Sequence, residues 1–393
     1  MSTTPGCATR ANALPDPDGA GIRSTPATGA TLELDDGTSM RGRSFGAAKP
    51  VRGEVVFNTA MAGYIEALTD PSYCGQILVL TYPLIGNYGV PPPRRAGSLD
   101  GPYESGRIQV QGLVVQNYVD AYSHYAARRS LHEWLAAEGI PAVTDVDTRS
   151  LTRRLRERGT MQGYLLPSSV GEEEARARAQ AIDMREEVFQ LVAPHAPVRY
   201  GDGKKTILLV DAGAKDNIVR SLLARGASVL RAPWHADVAR LAAQADGIVI
   251  GNGPGDPKDL EPLIRQVRAL LDGYHKPIFG VCLGNQILAL AAGADTYKLP
   301  YGHRGVNQPV QDLVSRRCYV TSQNHGYAVR DASLPGDWDP WFVNINDGTN
   351  EGIRARQRPF FSVQFHPEAS PGPQDTGFLF DDFLRLVDSM AQR

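Results

Sequence analysis

No apolar run in this chain approaches the roughly 20 residues that a helix needs to cross a bilayer. The longest, such as Ile77 to Leu80 and Ile287 to Ala292, are far shorter, so a soluble protein is expected. The N-terminus lacks the continuous apolar stretch of a secretory signal, and Asp16 and Asp18 argue against an organellar transit peptide. Charge of one sign is missing as well. The 41 Lys and Arg nearly balance the 43 Asp and Glu, which leaves no electrostatic footprint for nucleic acid or an anionic membrane and suits a small neutral substrate. Cysteine is scarce: Cys7, Cys74, Cys282 and Cys318 lie far apart without a C-x-x-C pair. That excludes a disulfide framework and a Cys-based zinc site, and makes a reducing cytoplasm the simplest home. There is no Gly-x-x-x-x-Gly-Lys-Ser/Thr loop to cradle ATP, and the eight histidines include no His-x-x-x-His pair. The chain is therefore expected to hold neither a metal nor a cofactor of its own.

What is present is a chain of 393 residues, 42% of them apolar, which exceeds the size at which one core usually stops growing. Two domains are expected. Residues 1–28 are rich in Ser, Thr, Pro, Gly and Ala without periodicity and read as a disordered tail. Residues 29–167 alternate β-type runs (Glu54 to Phe57, Ile77 to Thr81, Ile108 to Val115) with two helices, Ser130 to Glu138 and Thr148 to Arg158, giving a smaller mixed α and β domain. Residues 168–205 read as a linker: a charged helix from Glu172 to Val188, then Pro194, Pro197 and Gly201-Asp202-Gly203. Across 206–389 the pattern becomes regular. Strands at Ile207 to Val210, Ser228 to Arg231, Gly247 to Ile250 and Pro277 to Val281 alternate with helices at Asp216 to Ala224, Ala236 to Gln244, Leu260 to Leu271 and Gln286 to Ala292. Apolar strands separated by helices predict an α/β fold with a doubly wound, mostly parallel sheet, whose chemistry belongs at the carboxyl ends of the strands.

One such end carries Gly280-Val281-Cys282-Leu283-Gly284 between a strand and a helix. A turn this sharp strains the central residue, and the flanking glycines make room for it. The cysteine would then stand at the positive end of a helix, where the dipole and free amides favour a thiolate. On its own the motif also reads as a small apolar residue in a buried turn. A nucleophilic thiol needs a base and the base an orienting group. Near the C-terminus, Phe365-His366-Pro367-Glu368 follows a β-rich run, and continued strand alternation would put His366 and Glu368 on one side. A third element, Asn252-Gly253-Pro254-Gly255-Asp256-Pro257, follows the strand Gly247 to Ile250. Such a turn can aim an amide at a developing oxyanion, and Gly253 and Leu283 are the candidate donors. A plain type II turn is the other reading of Pro-Gly.

In this order the three motifs resemble the class I, triad-type glutamine amidotransferases. Segments outside them narrow the resemblance. Glu54-Val-Val-Phe-Asn-Thr59, Gly63-Tyr64, Leu68-Thr-Asp-Pro-Ser-Tyr73 and Leu80-Thr-Tyr-Pro-Leu-Ile-Gly-Asn87 are similar to the N-terminal domain of the carbamoyl-phosphate synthetase small subunit. Asp147 to Thr152, Ser322 to Tyr327 and Glu368 to Gly372 agree, so coverage runs from about Thr31 to Val387. The stretches Leu80 to Pro93 and Tyr301 to Pro309 look closer to the fused synthetases of eukaryotic pyrimidine synthesis than to many bacterial small subunits.

The resemblance implies Cys282 as nucleophile, His366 as general base and acid, and Glu368 as its orienting partner. It implies Ser72, Gly253, Gly255, Leu283, Gln286, Asn324, Gly326 and Tyr327 as glutamine-binding positions, with Ser72 reaching the site from the N-terminal domain. Two positions depart from the pattern: Asn285 stands where many members carry histidine, and Tyr327 where phenylalanine is common. The implied activity is hydrolysis of glutamine to glutamate and ammonia. The implied partner is a synthetase, either a separate large subunit or a fused domain, that binds ATP and Mg and uses the ammonia with bicarbonate for arginine or pyrimidine synthesis. Two rival readings are an amidotransferase serving another synthetase and a catalytically weak docking or regulatory subunit.

Overall fold

A computed structural model of the chain describes residues 28–95, 97–168 and 171–391. The expected tail therefore lies, except for Thr28, outside the described residues. The N-terminal domain is more specific than the mixed α and β expectation. Seven strands, β1 (Gly29–Leu34), β2 (Ser39–Gly46), β3 (Val51–Asn58), β4 (Gln76–Leu80), β5 (Gly112–Val114), β6 (Pro141–Thr144) and β7 (Met161–Pro167), close into a barrel in the order β1-β2-β6-β5-β4-β3-β7. Strand periodicity shows why the runs looked apolar throughout. Val55, Ile77, Val79, Val114 and Val143 enter one buried cluster, while their neighbours Val56, Leu78, Leu113 and Ala142 enter another, so both faces are covered. The helix Leu131–Ala137 starts on a capping box in which Ser130 and Glu133 satisfy each other's backbone amides. The helix Thr148–Arg158 starts on an Asp147 cap, and both agree with the residue ranges expected from sequence.

The second domain is built on a ten-stranded sheet: β8 (Val198–Tyr200), β9 (Lys205–Asp211), β10 (Ala227–Pro233), β11 (Gly247–Ile250), β12 (Ile278–Val281), β13 (Thr296–Asp312), β14 (Cys318–Val329), β15 (Trp338–Asn344), β16 (Asn350–Ala355) and β17 (Phe360–Val363). Its order is β8-β10-β9-β11-β12-β17-β16-β15-β13-β14. Strands β10, β9, β11, β12 and β17 are mutually parallel, and every other pairing in the sheet is antiparallel. The sheet is thus mixed rather than mostly parallel. The parallel core behaves as a doubly wound sheet should. Leu208, Val210, Ile248 and Ile278 pack under the helices Glu261–Gly273 and Leu283–Ala292, whereas Ile207, Leu209, Val249 and Phe279 meet Asp216–Leu223 and Phe378–Ala391.

The antiparallel half was not foreseen because β13 breaks its own alternation. Pro300, Gly302, Gly305 and Pro309 fall within it, and its register against β14 shifts between Lys298 and His303 and again between Gly305 and Gln308. The linker also differs from expectation. In place of one charged helix over 172–188 there are two short ones, Glu172–Arg178 and Val188–Val192. Between them Asp183 Oδ1 accepts the amides of Arg185, at 2.8 Å, and Glu186, at 3.2 Å, a local turn that competes with helix. The segment packs rather than dangling, since Val188 and Phe189 are fully buried against the sheet domain. Among the described residues no helix is long and apolar enough to cross a membrane.

Candidate active site

Cys282 joins β12 to the helix Leu283–Ala292 with φ 55° and ψ −104°, outside the regions that L-residues occupy comfortably. The glycines around it are steric requirements. A Cβ on Gly280 would lie 2.6 Å from the Gly284 carbonyl oxygen, and one on Gly284 would lie 2.1 Å from that of Ile250. Gly253, at the end of β11, also permits a close approach, because a Cβ there would meet Leu283 Cδ2 at 2.7 Å. Gly253 and Leu283 thus line the same cavity as Cys282, as the donors of an oxyanion site must.

His366 arrives differently from the sequence reading. Strand β17 ends at Val363, so strand alternation does not extend to Glu368. His366 instead makes an isolated bridge to Ser322 on β14, donating its amide to that carbonyl at 2.9 Å, and a turn follows in which Ala369 donates to the His366 carbonyl. The turn still brings the two side chains together: His366 Nδ1 lies 2.6 Å from Glu368 Oε1, with both residues buried. A carboxylate can only accept, so Nδ1 carries the hydrogen and Nε2 is left for the thiol. Nε2 has no partner within hydrogen-bond distance, yet the Cys282 sulfur is near enough to act on the ring. Burial opposes charging this ring, but Glu368 and then Cys282 outweigh it and push the His366 pKa up to about 10. Burial likewise opposes the Glu368 carboxylate, and His366 and Lys215 overcome it and hold its pKa below the usual value.

This pair has a consequence for stability. A base whose folded pKa is raised stabilises the fold fully below its unfolded value, near 6.5, and loses that contribution as pH rises towards about 10. Wild-type unfolding free energy is expected to decline across that window, and Glu368→Gln to flatten the decline. Urea midpoints measured at intervals from pH 6.5 to pH 10 check it; parallel curves for the two proteins would refute it.

The cavity above Cys282 has a volume of about 280 Å³ and takes its walls from both domains. Ser72, Gly253, Gly255, Leu283, Gln286, Asn324, Gly326 and Tyr327 all line it with Cys282, so every glutamine-binding position implied by the resemblance faces one space, while His366 and Glu368 stand behind its wall. Ser72 Oγ accepts from Asn252 Nδ2 at 2.9 Å, Asn324 O lies 3.7 Å from the Cys282 sulfur, and Gln286 Nε2 donates to the Tyr327 carbonyl at 2.9 Å.

Sequence reasoning missed several groups. Asp70 is a brace between the domains: its Oδ1 accepts the Ser72 amide and its Oδ2 accepts Asn324 Nδ2, both at 2.9 Å. Lys215, after β9, is buried with Nζ 3.3 Å from Glu368 Oε1 and bonded to the Ala369 carbonyl. Burial disfavours its charge, but Glu368, Glu104 and Asp70 keep its pKa above the ordinary value. Glu104, from the barrel domain, is wholly buried among Arg220, the Ser370 hydroxyl and the Asn217 amide, and burial raises its pKa to about 6. The available signal was position: a lysine just past the carboxyl end of a parallel strand belongs to the functional edge.

The structure also gathers a group that spacing concealed. His303, His325 and Glu351 sit with ligand-type atoms within 4.8 Å of one another. His303 Nε2 lies 2.8 Å from Asp347 and its Nδ1 3.4 Å from Glu351. Burial opposes the ring's charge, but Glu351 and Asp347 raise its pKa, so an imidazolium can neutralise this site.

Residues 208–386 match the family of class-I glutamine amidotransferases, and residues 32–165 match the CPSase domain of the carbamoyl-phosphate synthase small chain. The chain is 47% identical over 367 residues to the carbamoyl phosphate synthase arginine-specific small chain of Emericella nidulans, covering 92% of this chain and 80% of that one. It is 46% identical over 387 residues to the multifunctional protein URA2 of Saccharomyces cerevisiae, covering 91% of this chain but only 17% of that protein. Against the multifunctional protein ura1 of Schizosaccharomyces pombe the identity is 44%, over 92% of this chain and 17% of the other.

Proposed function

Since this chain belongs to the carbamoyl-phosphate synthase small-chain family, the glutamine-hydrolysing component, we propose that Cys282, His366 and Glu368 carry out that hydrolysis in the cavity between its two domains. With the Cys282 proton on His366 Nε2, the state that the raised pKa of the ring favours, the thiolate attacks the side-chain amide carbon of glutamine. The oxyanion that forms is met by the Gly253 and Leu283 amides. His366 returns the proton to the departing nitrogen, leaving a γ-glutamyl thioester and ammonia. Water deprotonated by His366 then adds to the thioester, and collapse releases glutamate and restores the thiol. The observation that carries this reading is the strained Cys282, beside a buried imidazole whose far nitrogen is held by Glu368.

Ammonia in neutral water is mostly protonated and lacks the lone pair it needs, so its use requires a sheltered route to a partner. That partner is a synthetase that binds ATP and Mg and consumes bicarbonate, either a separate large chain or a fused domain. Similarity to both arginine-specific small chains and fused multifunctional proteins supports either arrangement and either pathway. A reducing, cytoplasmic setting suits a mechanism that depends on a free Cys282 thiol. To test the reading, the chain is incubated with glutamine, with and without a synthetase partner, and quenched in acid. Glutamate release and a base-labile γ-glutamyl adduct on the peptide containing Cys282 are expected. Absence of both, with partner present, would overturn it and favour a docking role.

A further inference from the structure

The Cys282 sulfur has a second polar neighbour besides His366. Gln364, wholly buried and not among the residues lining the cavity, places its side-chain nitrogen 3.7 Å from Sγ. A carboxamide can present an oxygen, which would repel a thiolate, or an N–H, which would stabilise one. Its neighbours decide the matter. Asn285 Nδ2 and Gln286 Nε2 both donate to Gln364 Oε1, each at 3.1 Å, and fill its two lone pairs. Asn285 is itself held, because the Ser362 hydroxyl donates to its Oδ1 at 2.8 Å. Gln286 is held by its second hydrogen bond, to the Tyr327 carbonyl. If Gln364 turned over, its NH2 would oppose two other NH2 groups, so the network fixes a donor towards the sulfur.

We propose that Gln364 is an anion-stabilising catalytic residue whose side-chain N–H supports the Cys282 thiolate from within the core, an inference that rests on the glutamine-hydrolysis reading above. In the thiol form, the S–H group has the Asn324 carbonyl as an acceptor 3.7 Å away, which offers nothing to an anion. Once the proton has moved to His366 Nε2, with no other bond changed, the Gln364 N–H faces the sulfur as a second donor beside the His366 Nε2–H. Asn285 suits this task because a carboxamide offers a donor and an acceptor side by side. It relays the Ser362 hydroxyl bond to Gln364 without a titratable group in the chain.

The titratable groups on the sulfur's side are His366 and, behind it, Glu368 and Lys215; His325, Glu54, Asp256, Asp259, Arg185, Lys298, Arg304, Tyr301 and Tyr327 line the cavity in front, and the test leaves all of them intact. Alkylation of Cys282 by iodoacetamide is followed by peptide mass spectrometry as a function of pH in the full chain, beside steady-state glutaminase kinetics and thermal melting. Gln364→Met removes the donor. It is expected to move the alkylation midpoint upward, slow alkylation at neutral pH about tenfold, the equivalent of one pKa unit, and lower kcat with little change in KM. Gln364→Glu keeps an oxygen for Asn285 and Gln286 and sets a second oxygen against the sulfur, so its midpoint is expected to rise at least as far. Should Gln364→Met fail to fold, Gln364→Glu decides. An unmoved midpoint in the folded variants, or a change confined to KM or melting temperature, overturns the proposal. If wild type hydrolyses no glutamine, the function fails and takes the catalytic role of Gln364 with it even where the midpoint moves; if wild type is active and both midpoint and kcat stay put, the inference alone fails.

Discussion

Cys282→Ser is expected to lower glutamine hydrolysis at least ~10³-fold, a loss typical of removing the nucleophile of a catalytic triad. Serine is close in size and can occupy the same strained backbone position, so the fold should survive and the loss is chemical. A hydroxyl gives up its proton far less readily than a thiol, and a site arranged around a soft, acidic sulfur does not compensate. His366 and Glu368 remain paired, and the Gly253 and Leu283 amides stay in place, so substrate should still bind. Glutamate release by wild type and variant, with thermal melts of both, checks this. Equal rates would remove Cys282 from the chemistry and leave the docking reading standing.

The second large effect is expected at Lys215. Its ammonium lies between Glu368 on one side and Glu104 and Asp70 beyond, nearly all of it buried. Lys215→Met leaves these carboxylates without their shared cation, and breaking a buried ion pair from one side typically costs about 3–5 kcal/mol. Glu368 would then take up a proton more easily and release its grip on His366 Nδ1, so glutamine hydrolysis should fall together with stability. Glu104 keeps Arg220, so adding Glu368→Gln to Lys215→Met removes the carboxylate nearest the lost ammonium and should restore part of the stability, which urea unfolding of the single and double variants measures. A single variant within about 1 kcal/mol of wild type would show that the carboxylates are neutral or otherwise paired.

The parallel core was legible because its strands are short, apolar and separated by amphipathic helices; Gly247 to Ile250 matches strand β11 at both ends. The elbow was legible because its steric demands fall on neighbouring residues, so Gly280, Cys282 and Gly284 carry their explanation locally. Barrel closure was not, since it depends on which strands pair, and β1 meets β7 across nearly the whole length of the domain. Bulges and internal prolines hid β13. The proposed glutamine-binding positions came from resemblance to a family, and the structure arranges them on one cavity. Asp70, Glu104, Lys215 and Gln364 were invisible for a different reason. Each is an ordinary polar residue until folding buries it beside a partner far away in the chain, as Lys215 is beside Glu368.

Asp70 and Ser72 hold Asn324 and Asn252 from the barrel side. The pocket proposed for glutamine is therefore not portable with the amidotransferase domain. A chimaera that joins residues 206–389 to a foreign front half would arrive with one wall missing. Exchange of acceptor synthetases by simple domain shuffling would have to carry the barrel along.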